Sequence, residues 1–513
     1  MTSQNLSRRT FVSGAALSAL ALRAAGAHTL APASPITLRT PLGSLEGEES
    51  AGVRVFRGVP FAEPPIGALR FRPPVAAKPW PTPRNATRFA AAAIQADGAA
   101  DVPHSEDCLY LNVWAPASKG SYPVYVWIHG GGFVSGRSYV PIFDGTLLAE
   151  EGIVCVTVAY RLGVFGFLNL GPLLGSSYAG SANNGLRDVM AALDWVQQNI
   201  EAFGGDPSRV TVGGQSAGAK LTDILMGAPS ARPLFHQMVS ESGGAERVWT
   251  AEQSAAVAEG YGKLWRTSTG NPVSALATAP AQSLIPMQTQ LMQTWPHHFP
   301  LRSEVDGSLL PRLPVETIAA GSSRGKRLLI GTNRDESAAF IGPHPEHDAD
   351  AAELGNMRPP QFLDVYEEYK KIYPEMTAEQ RRIRALTAEE YWVPSVRVAE
   401  SHDKGGGETW MYRLDFREGS GRLGAFTPHS LELRFVWEHP SPQVANAAAE
   451  AALARQMHDA WCAFLRGEAP AAAGLPRWPA YTLGERRTMI FNVESRVEAN
   501  PQAAELRLWR GVL

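Results

Sequence analysis

Short apolar runs that end in glycine alternate along this chain with longer stretches whose apolar residues recur every three or four positions. Tyr122–Ile128 (Tyr-Pro-Val-Tyr-Val-Trp-Ile) reads as a strand that stops at His129-Gly130. Ile153–Val158 is a run dominated by β-branched residues, the pattern of a strand covered on both faces. Leu186–Phe203 is predicted to be an amphipathic helix, because Leu186, Val189, Met190, Leu193, Val196 and Ile200 share one face. Gly204-Gly205 followed by Pro207 is a normal stop for it. Val210–Val212 reads as a short strand, followed by a turn and a helix that begins near Ala217, and Arg327–Ile330 as another strand closing on Gly331. Strands alternating with helices predict an α/β fold with a mainly parallel sheet and helices on its two faces. From about 343 to 407 Glu, Arg and Tyr recur with helical periodicity, which predicts a helical insertion beside the sheet and not a separate domain.

Composition narrows the function classes. The chain has 513 residues, 44% hydrophobic and 19% charged, enough to bury a large core. Its net charge of −3 supplies no positive field for nucleic acid, so that class of partner is excluded on charge. Three cysteines, Cys108, Cys155 and Cys462, cannot build a disulfide framework and are read as buried, unpaired thiols.

The first residues differ from the rest. Residues 1–27 contain Arg8, Arg9 and Arg23 and no acidic side chain; an apolar stretch from Phe11 to Leu22 follows the arginine pair, and Ala25-Gly26-Ala27 offers a small-residue cleavage site. That is the layout of a bacterial export signal, and Ser7-Arg8-Arg9-Thr10-Phe11-Val12 resembles the twin-arginine signature. The apolar stretch is too short for a stable membrane span. The expected organisation is a signal over 1–27, an Ala/Pro-rich tether over 28–35 and one domain from 36 to 513, in the periplasm or outside the cell.

Gly214-Gln215-Ser216-Ala217-Gly218 fits G-x-S-x-G, with a strand before Ser216 and a helix after it. In that setting a tight strand-to-helix turn lifts a serine hydroxyl clear of the sheet, small neighbours are needed, and the helix start offers free amides to an anion. Upstream, His129-Gly130-Gly131-Gly132-Phe133 also follows a strand directly. Its glycines let the backbone approach a substrate carbonyl. The amides of Gly131, Gly132 and Ala217 together would form a three-donor oxyanion hole, in which each donor is worth about 10²–10³ in rate.

Several long stretches, in order, carry a resemblance to the type-B carboxylesterases, the α/β-hydrolase family that includes cholinesterases and bacterial p-nitrobenzyl esterases. They are Phe56–Ala62, Ser105–Trp114, His129–Phe133, Tyr160–Phe167, Phe203–Pro207 leading into Ser216, and Val305-Asp306-Gly307. The likeness runs from about residue 36 to near the C-terminus. It implies a central, mostly parallel twisted sheet with helical insertions around the mouth of the site, and serine-dependent hydrolysis of small-molecule carboxylic esters without a cofactor. It also implies the other two members of a triad. The family's acid lies in a Gly-x-Asn-x-Asp-Glu segment, matched by Gly331–Glu336, which makes Glu336 the acid and Asp335 its local competitor. The family's histidine precedes a Glu-Leu-x-Phe-Val-aromatic run, matched by His429–Trp437, which makes His429 the base. The chain order Ser, acid, His is that of the fold.

Departures from the family pattern shape the remaining expectations. Gln215 stands where the family usually has Glu, so a carboxylate beside the site is missing and neutral esters are favoured. Phe89–His104 contains no Trp or Tyr, which argues against a choline site, and Cys108 has no upstream cysteine for the family's first disulfide. The readings that compete with hydrolysis are a catalytically silent binding or adhesion protein on the same scaffold and an acyltransferase. Trp295, Phe299 and Trp437 read as core aromatics; Phe133, adjoining the glycine loop, is the candidate pocket residue beside Gln215. His297-His298 and His344/His347 lack metal-site spacing with Cys or carboxylates, so no metal is expected.

Overall fold

The computed structural model describes residues 33–96, 102–341, 355–444 and 446–513. The export segment expected over 1–27 lies outside the described residues. The tether expected through Pro35 ends earlier: Ser34 and Pro35 already belong to the strand Ser34–Thr40, which pairs antiparallel with Gly43–Ser50. Alternation of Ile36 and Leu38 with polar residues gives that hairpin one inward face, a short-period signal that an Ala/Pro-rich composition hid.

Thirteen strands form one mixed sheet. Its centre is a parallel run in the spatial order Val154–Val158, Tyr122–Ile128, Gly205–Gln215, Gln237–Glu241, Arg327–Asn333, Glu408–Leu414, Arg487–Phe491. Antiparallel strands close both edges. The chain passes from Tyr122–Ile128 to the neighbour on one side, then crosses to Gly205–Gln215 on the other. Strand order therefore reverses at Tyr122–Ile128, and the crevice at such a reversal is where open α/β sheets place their sites.

Strand periodicity sorts the core. Val124, Val126 and Ile128 face one layer, with Leu186, Val189, Leu193 and Val196 of the helix Asn184–Asn199 and Leu221 and Ile224 of the helix Ala217–Met226. Tyr125 and Trp127 face the other, with Met457, Trp461 and Phe464 of the helix Ala447–Leu465. The predicted helix from Leu186 becomes a tighter 3₁₀ turn over its last residues, Ile200–Phe203, and ends at Gly204 with φ 86°. The three-residue strand expected at Val210 extends over Gly205–Gln215, with a register irregularity between Gly205 and Val210.

Between Arg327–Asn333 and its neighbour Glu408–Leu414 the chain makes the helices Pro359–Ile372, Ala378–Thr387 and Val393–Lys404, the last two joined by a buried π-helical turn, Ala388–Trp392. A capping box at Thr377 and Gln380 starts the second of them. Among the described residues no helix is long and apolar enough to cross a membrane.

Candidate active site

The strand Gly205–Gln215 runs into Ser216, whose φ of 57° and ψ of −124° are rarely adopted by a residue with a side chain. The conformation is held by the Ser216 N–H donating to the Glu241 carbonyl at 2.9 Å and by the Lys220 N–H returning to the Ser216 carbonyl at 2.9 Å. Both flanking glycines are needed for a packing reason. A Cβ on Gly214 would lie 2.5 Å from the Ile128 carbonyl oxygen, and one on Gly218 would run into the same atom. The helix Ala217–Met226 is thus pressed onto the end of the neighbouring strand.

That strand continues into the glycine loop. Gly131 (φ 115°), Gly132 (φ 62°) and Phe133 (φ 67°) all have positive φ. The N–H groups of Val134 and Ser135 fold back on the Gly131 carbonyl at 3.1 and 3.0 Å. Next to them the buried His129 ring stacks on Tyr160, and its Nδ1 lies 2.8 Å from the Gly130 carbonyl. Burial pushes the His129 imidazole down to about 4, so at neutral pH it is uncharged and its Nδ1–H donates to that carbonyl. The Tyr160 hydroxyl donates to the His129 carbonyl at 2.9 Å. Gly130 lies against the serine turn: a Cβ there would be 2.9 Å from the Gln215 carbonyl and 3.0 Å from the Ser216 Cβ. Gly130 therefore sets the start of the glycine loop beside the serine turn.

Glu336 and His429 arrive from two further connections at the same edge of the sheet. Glu336 is fully buried; its Oε2 lies 2.5 Å from His429 Nδ1, and its Oε1 accepts from the Asn333 N–H at 2.7 Å and the Ser242 hydroxyl at 2.5 Å. The His429 N–H also donates to the Glu336 carbonyl, at 3.2 Å. Asp335, the local competitor, faces elsewhere: its carboxylate accepts from the Thr427 N–H at 3.2 Å and lies 4.0 Å from Arg417. The other imidazole nitrogen, Nε2, is 3.3 Å from the Gln215 side-chain amide, which also donates to the Ser430 hydroxyl at 3.0 Å. Tyr391, in the π-helical turn, and Phe340 pack on the imidazole with ring centroids 4.8 and 5.2 Å away.

Two of the pocket expectations part here. Gln215 does stand in the site. Phe133 does not line it: its side chain is fully buried and packs on Phe167, because a positive φ at 133 directs it into the core. Phe299, read from the sequence as core, covers the glycine loop instead, with a ring carbon 2.7 Å from where a Cβ on Gly132 would be. Trp437 is core, against Trp127 and Phe143. Ser242, Asn333, Ser430 and Tyr391 were missed. Two had usable signals: Ser242 follows the strand next to the one that runs into Ser216, and Asn333 lies in the matched Gly331–Glu336 segment; Ser430 and Tyr391 act through contacts that leave no local pattern. Cys108, Cys155 and Cys462 are buried free thiols, each pushed up by burial and so unreactive.

Beneath the imidazole three carboxyl groups are buried together. Glu432 accepts from the Asn333 side-chain amide, and burial, then the neighbouring Glu336, push it up to about 7. Glu241 accepts from Trp461 Nε1 at 2.8 Å; burial, then Glu432, raise it well above the usual range. Three donors converge on Glu336, whereas burial favours the protonated form of its two neighbours.

The family profile whose description is Carboxylesterase family matches residues 34–509. Among curated proteins the chain is 35% identical over 485 residues to the para-nitrobenzyl esterase of Bacillus subtilis (strain 168), covering 90% of this chain and 96% of that one. It is 35% identical over 484 residues to the fumonisin B1 esterase of Sphingopyxis macrogoltabida, covering 89% and 86%. Among solved structures, a PNB esterase superposes with a TM-score of 0.81 at 32% identity, covering 92% of this chain and 99% of that one. A Geobacillus stearothermophilus carboxylesterase gives a TM-score of 0.81 at 34% identity, with the same coverage.

The buried Glu432 yields a prediction. Its folded-state value lies above the ordinary carboxyl value, so the folded protein binds more protons than the unfolded chain at pH between the two. The stability this group contributes is complete below about pH 4.5 and is lost as pH rises through about 7, by at most roughly 3 kcal/mol. Glu432→Gln is expected to flatten the fall in melting temperature between pH 5 and pH 8; an unchanged slope would show that Glu432 does not hold the proton.

Proposed function

The chain belongs to the carboxylesterase family and is a serine carboxylic-ester hydrolase, and we propose that Ser216, His429 and Glu336 are the side chains through which it acts. The observation that carries this reading is the 2.5 Å contact between His429 Nδ1 and a fully buried Glu336. With Nδ1–H committed to that carboxylate, the lone pair of the ring is on Nε2, facing the turn that holds Gln215 and Ser216.

His429 takes the proton of the Ser216 hydroxyl as its oxygen attacks the ester carbonyl. The imidazolium that forms is stabilised by Glu336, itself held by Ser242 and Asn333. The carbonyl oxygen becomes an oxyanion facing the amides of Gly131, Gly132 and Ala217, preset by the positive φ values of the loop and by the helix start. His429 then returns the proton to the departing alcohol, leaving an acyl-serine. Water, deprotonated by the same nitrogen, attacks the acyl carbon and releases the acid and free Ser216.

Gln215 bears on the substrate. An amide in place of a carboxylate beside the imidazole gives no attraction to a cationic ester, which supports a preference for uncharged alcohol groups. Residues 1–27 read as a twin-arginine export signal that delivers the enzyme to the periplasm or beyond; the sequence layout around Arg8-Arg9 supports this reading.

Three measurements test these points. A p-nitrophenyl phosphonate is expected to label one serine per chain, identified as Ser216 by peptide mapping. Ser216→Ala should abolish labelling and turnover, and Glu336→Gln should lower kcat by about 10³–10⁴; label on another residue overturns the assignment. Gln215→Glu should raise the kcat/KM ratio of a choline ester over its uncharged isostere by about three- to ten-fold, the effect of ~1 kcal/mol; a constant ratio removes Gln215 from specificity. Arg8→Lys combined with Arg9→Lys should leave uncleaved precursor in the cytoplasm of an expressing bacterium, and normal export of that variant would reject the twin-arginine route.

A further inference from the structure

The side-chain amide of Gln215 reaches the nitrogen of His429 that ester hydrolysis needs free. Glu336 Oε2 lies 2.5 Å from Nδ1, so the neutral imidazole carries its proton on Nδ1 and its lone pair on Nε2. Of the two ends of the Gln215 amide only the nitrogen can face that lone pair, because the amide oxygen would set one acceptor against another. The nitrogen has two protons and two acceptors, His429 Nε2 at 3.3 Å and the Ser430 hydroxyl at 3.0 Å. Gln215 is 3% exposed and ends a strand in register with Glu241, so its amide is not free to turn to bulk water. The Ser216 hydroxyl, in contrast, makes no hydrogen bond among the described residues. The lone pair that must take the serine proton is thus engaged by a neighbouring amide in the free enzyme.

The other groups around the ring act differently. Glu336 holds Nδ1. Glu432, pushed up to about 7 by burial and then by Glu336, interacts with the imidazole through charge. Tyr391 is raised by burial and stays uncharged; it and Phe340 pack their rings on the imidazole. The two glutamates in the same turn as Tyr391 are engaged elsewhere, Glu389 by the N–H groups of Asn356 and Met357 and Glu390 by Lys220 and Arg247. Gln215 is therefore the one side-chain donor to Nε2 among the described residues. A hydrogen bond donated to an uncharged base favours the uncharged form.

We propose that Gln215 is a positioning residue that sets the acid limit of turnover: its amide donates to Nε2 of uncharged His429 in the free enzyme, keeps that base unprotonated at acidic pH, and yields the lone pair to the Ser216 hydroxyl when ester binds. The proposal rests on the esterase reading and deepens it. Gln215 keeps both its amide protons throughout; the proton that reaches Nε2 during acylation is that of Ser216. Once Nε2 carries it, the ring no longer accepts from the amide, which stays with Ser430. A carboxylate at position 215 would do the reverse, accepting from Nε2–H and holding the ring in its charged, inactive form up to higher pH.

The test is the pH dependence of kcat/KM, which reports the free enzyme, for p-nitrophenyl butyrate between about pH 5 and pH 8, with active sites counted by phosphonate titration. Gln215→Met keeps the length and removes the donor. It should move the acid limb to higher pH by about half to one unit, the worth of one hydrogen bond. Gln215→Glu, the second variant, should move it further in the same direction. Glu432 titrates in this range as well, but it is common to all three enzymes, so the difference between them isolates position 215. A spectroscopic readout accompanies the profile. With ¹⁵N-labelled histidine, the Nε2 resonance of His429, identified by its loss in His429→Gln, should shift downfield in Gln215→Met at a pH where the ring is neutral, as a lone pair released from a donor does. A merely structural role would lower the plateau rate and leave both the limb and the resonance in place. An acid limb that fails to move upward in either folded variant, or an unchanged Nε2 resonance in Gln215→Met, overturns the role of Gln215 and leaves the esterase standing. A wild-type enzyme that neither hydrolyses the ester nor takes up the phosphonate overturns the esterase reading and this proposal with it.

Discussion

The contact on which the site depends is between backbones: the first turn of the helix Ala217–Met226 against the carbonyl of Ile128. No side chain fits at Gly214 or Gly218 because that carbonyl occupies the space. This approach forces Ser216 into a conformation with φ of 57° and brings the glycine loop, which begins one residue after Ile128, against the serine. A single packing contact at the point where strand order reverses therefore positions both Ser216 and the start of the glycine loop, the proposed nucleophile and the proposed source of its facing amides. Rigidity there comes from the Tyr160–His129–Gly130 chain of contacts, in which an uncharged buried imidazole clamps the loop from behind.

The second organising feature is how buried charge is shared out. Glu336 draws three side-chain and backbone donors, and Glu432 and Glu241 next to it are pushed toward their protonated forms. Burial pushes Glu432 and Glu241 up, while the hydrogen-bond donors gather on the carboxyl that meets His429. On the opposite side of the imidazole, the π-helical turn Ala388–Trp392 carries Tyr391 against the ring and Glu390 toward Lys220 and Arg247. A helix with an extra residue in its turn at this place is in keeping with the association of such turns with functional sites. The same short segment thus serves the imidazole and the buried cations Lys220 and Arg247, the latter against the ring of Phe299.

Much of this was legible in the chain. Apolar runs marked Tyr122–Ile128, Ile153–Val158 and Arg327–Ile330 as strands of a parallel sheet, and helical spacing marked a helix over Leu186–Phe203, because burial on both faces of a strand or one face of a helix leaves a local period. The glycines around Ser216 were legible because steric exclusion acts on near neighbours. Ser34–Thr40 was missed as a strand, since two apolar positions among prolines and serines give a weak period. Phe133 was misplaced because adjacency to the glycine loop says nothing about where a side chain at positive φ points.

By itself the sequence determined the layered α/β architecture, the strand-to-helix turn at Ser216 and the glycine loop, since each follows from the identity of residues close together in the chain. The family resemblance had already implied Glu336 over Asp335, and the structure brings that carboxylate to the imidazole; the tertiary structure alone decided that Ser242 holds the carboxylate and that Arg247 stands behind Phe299. Those pairings join residues far apart in the chain: 93 positions between Glu336 and His429, 94 between Ser242 and Glu336 and 52 between Arg247 and Phe299. Which carboxyl is buried beside which donor is fixed by how loops from different strands pack. A choice between neighbouring acids leaves no trace in spacing or composition.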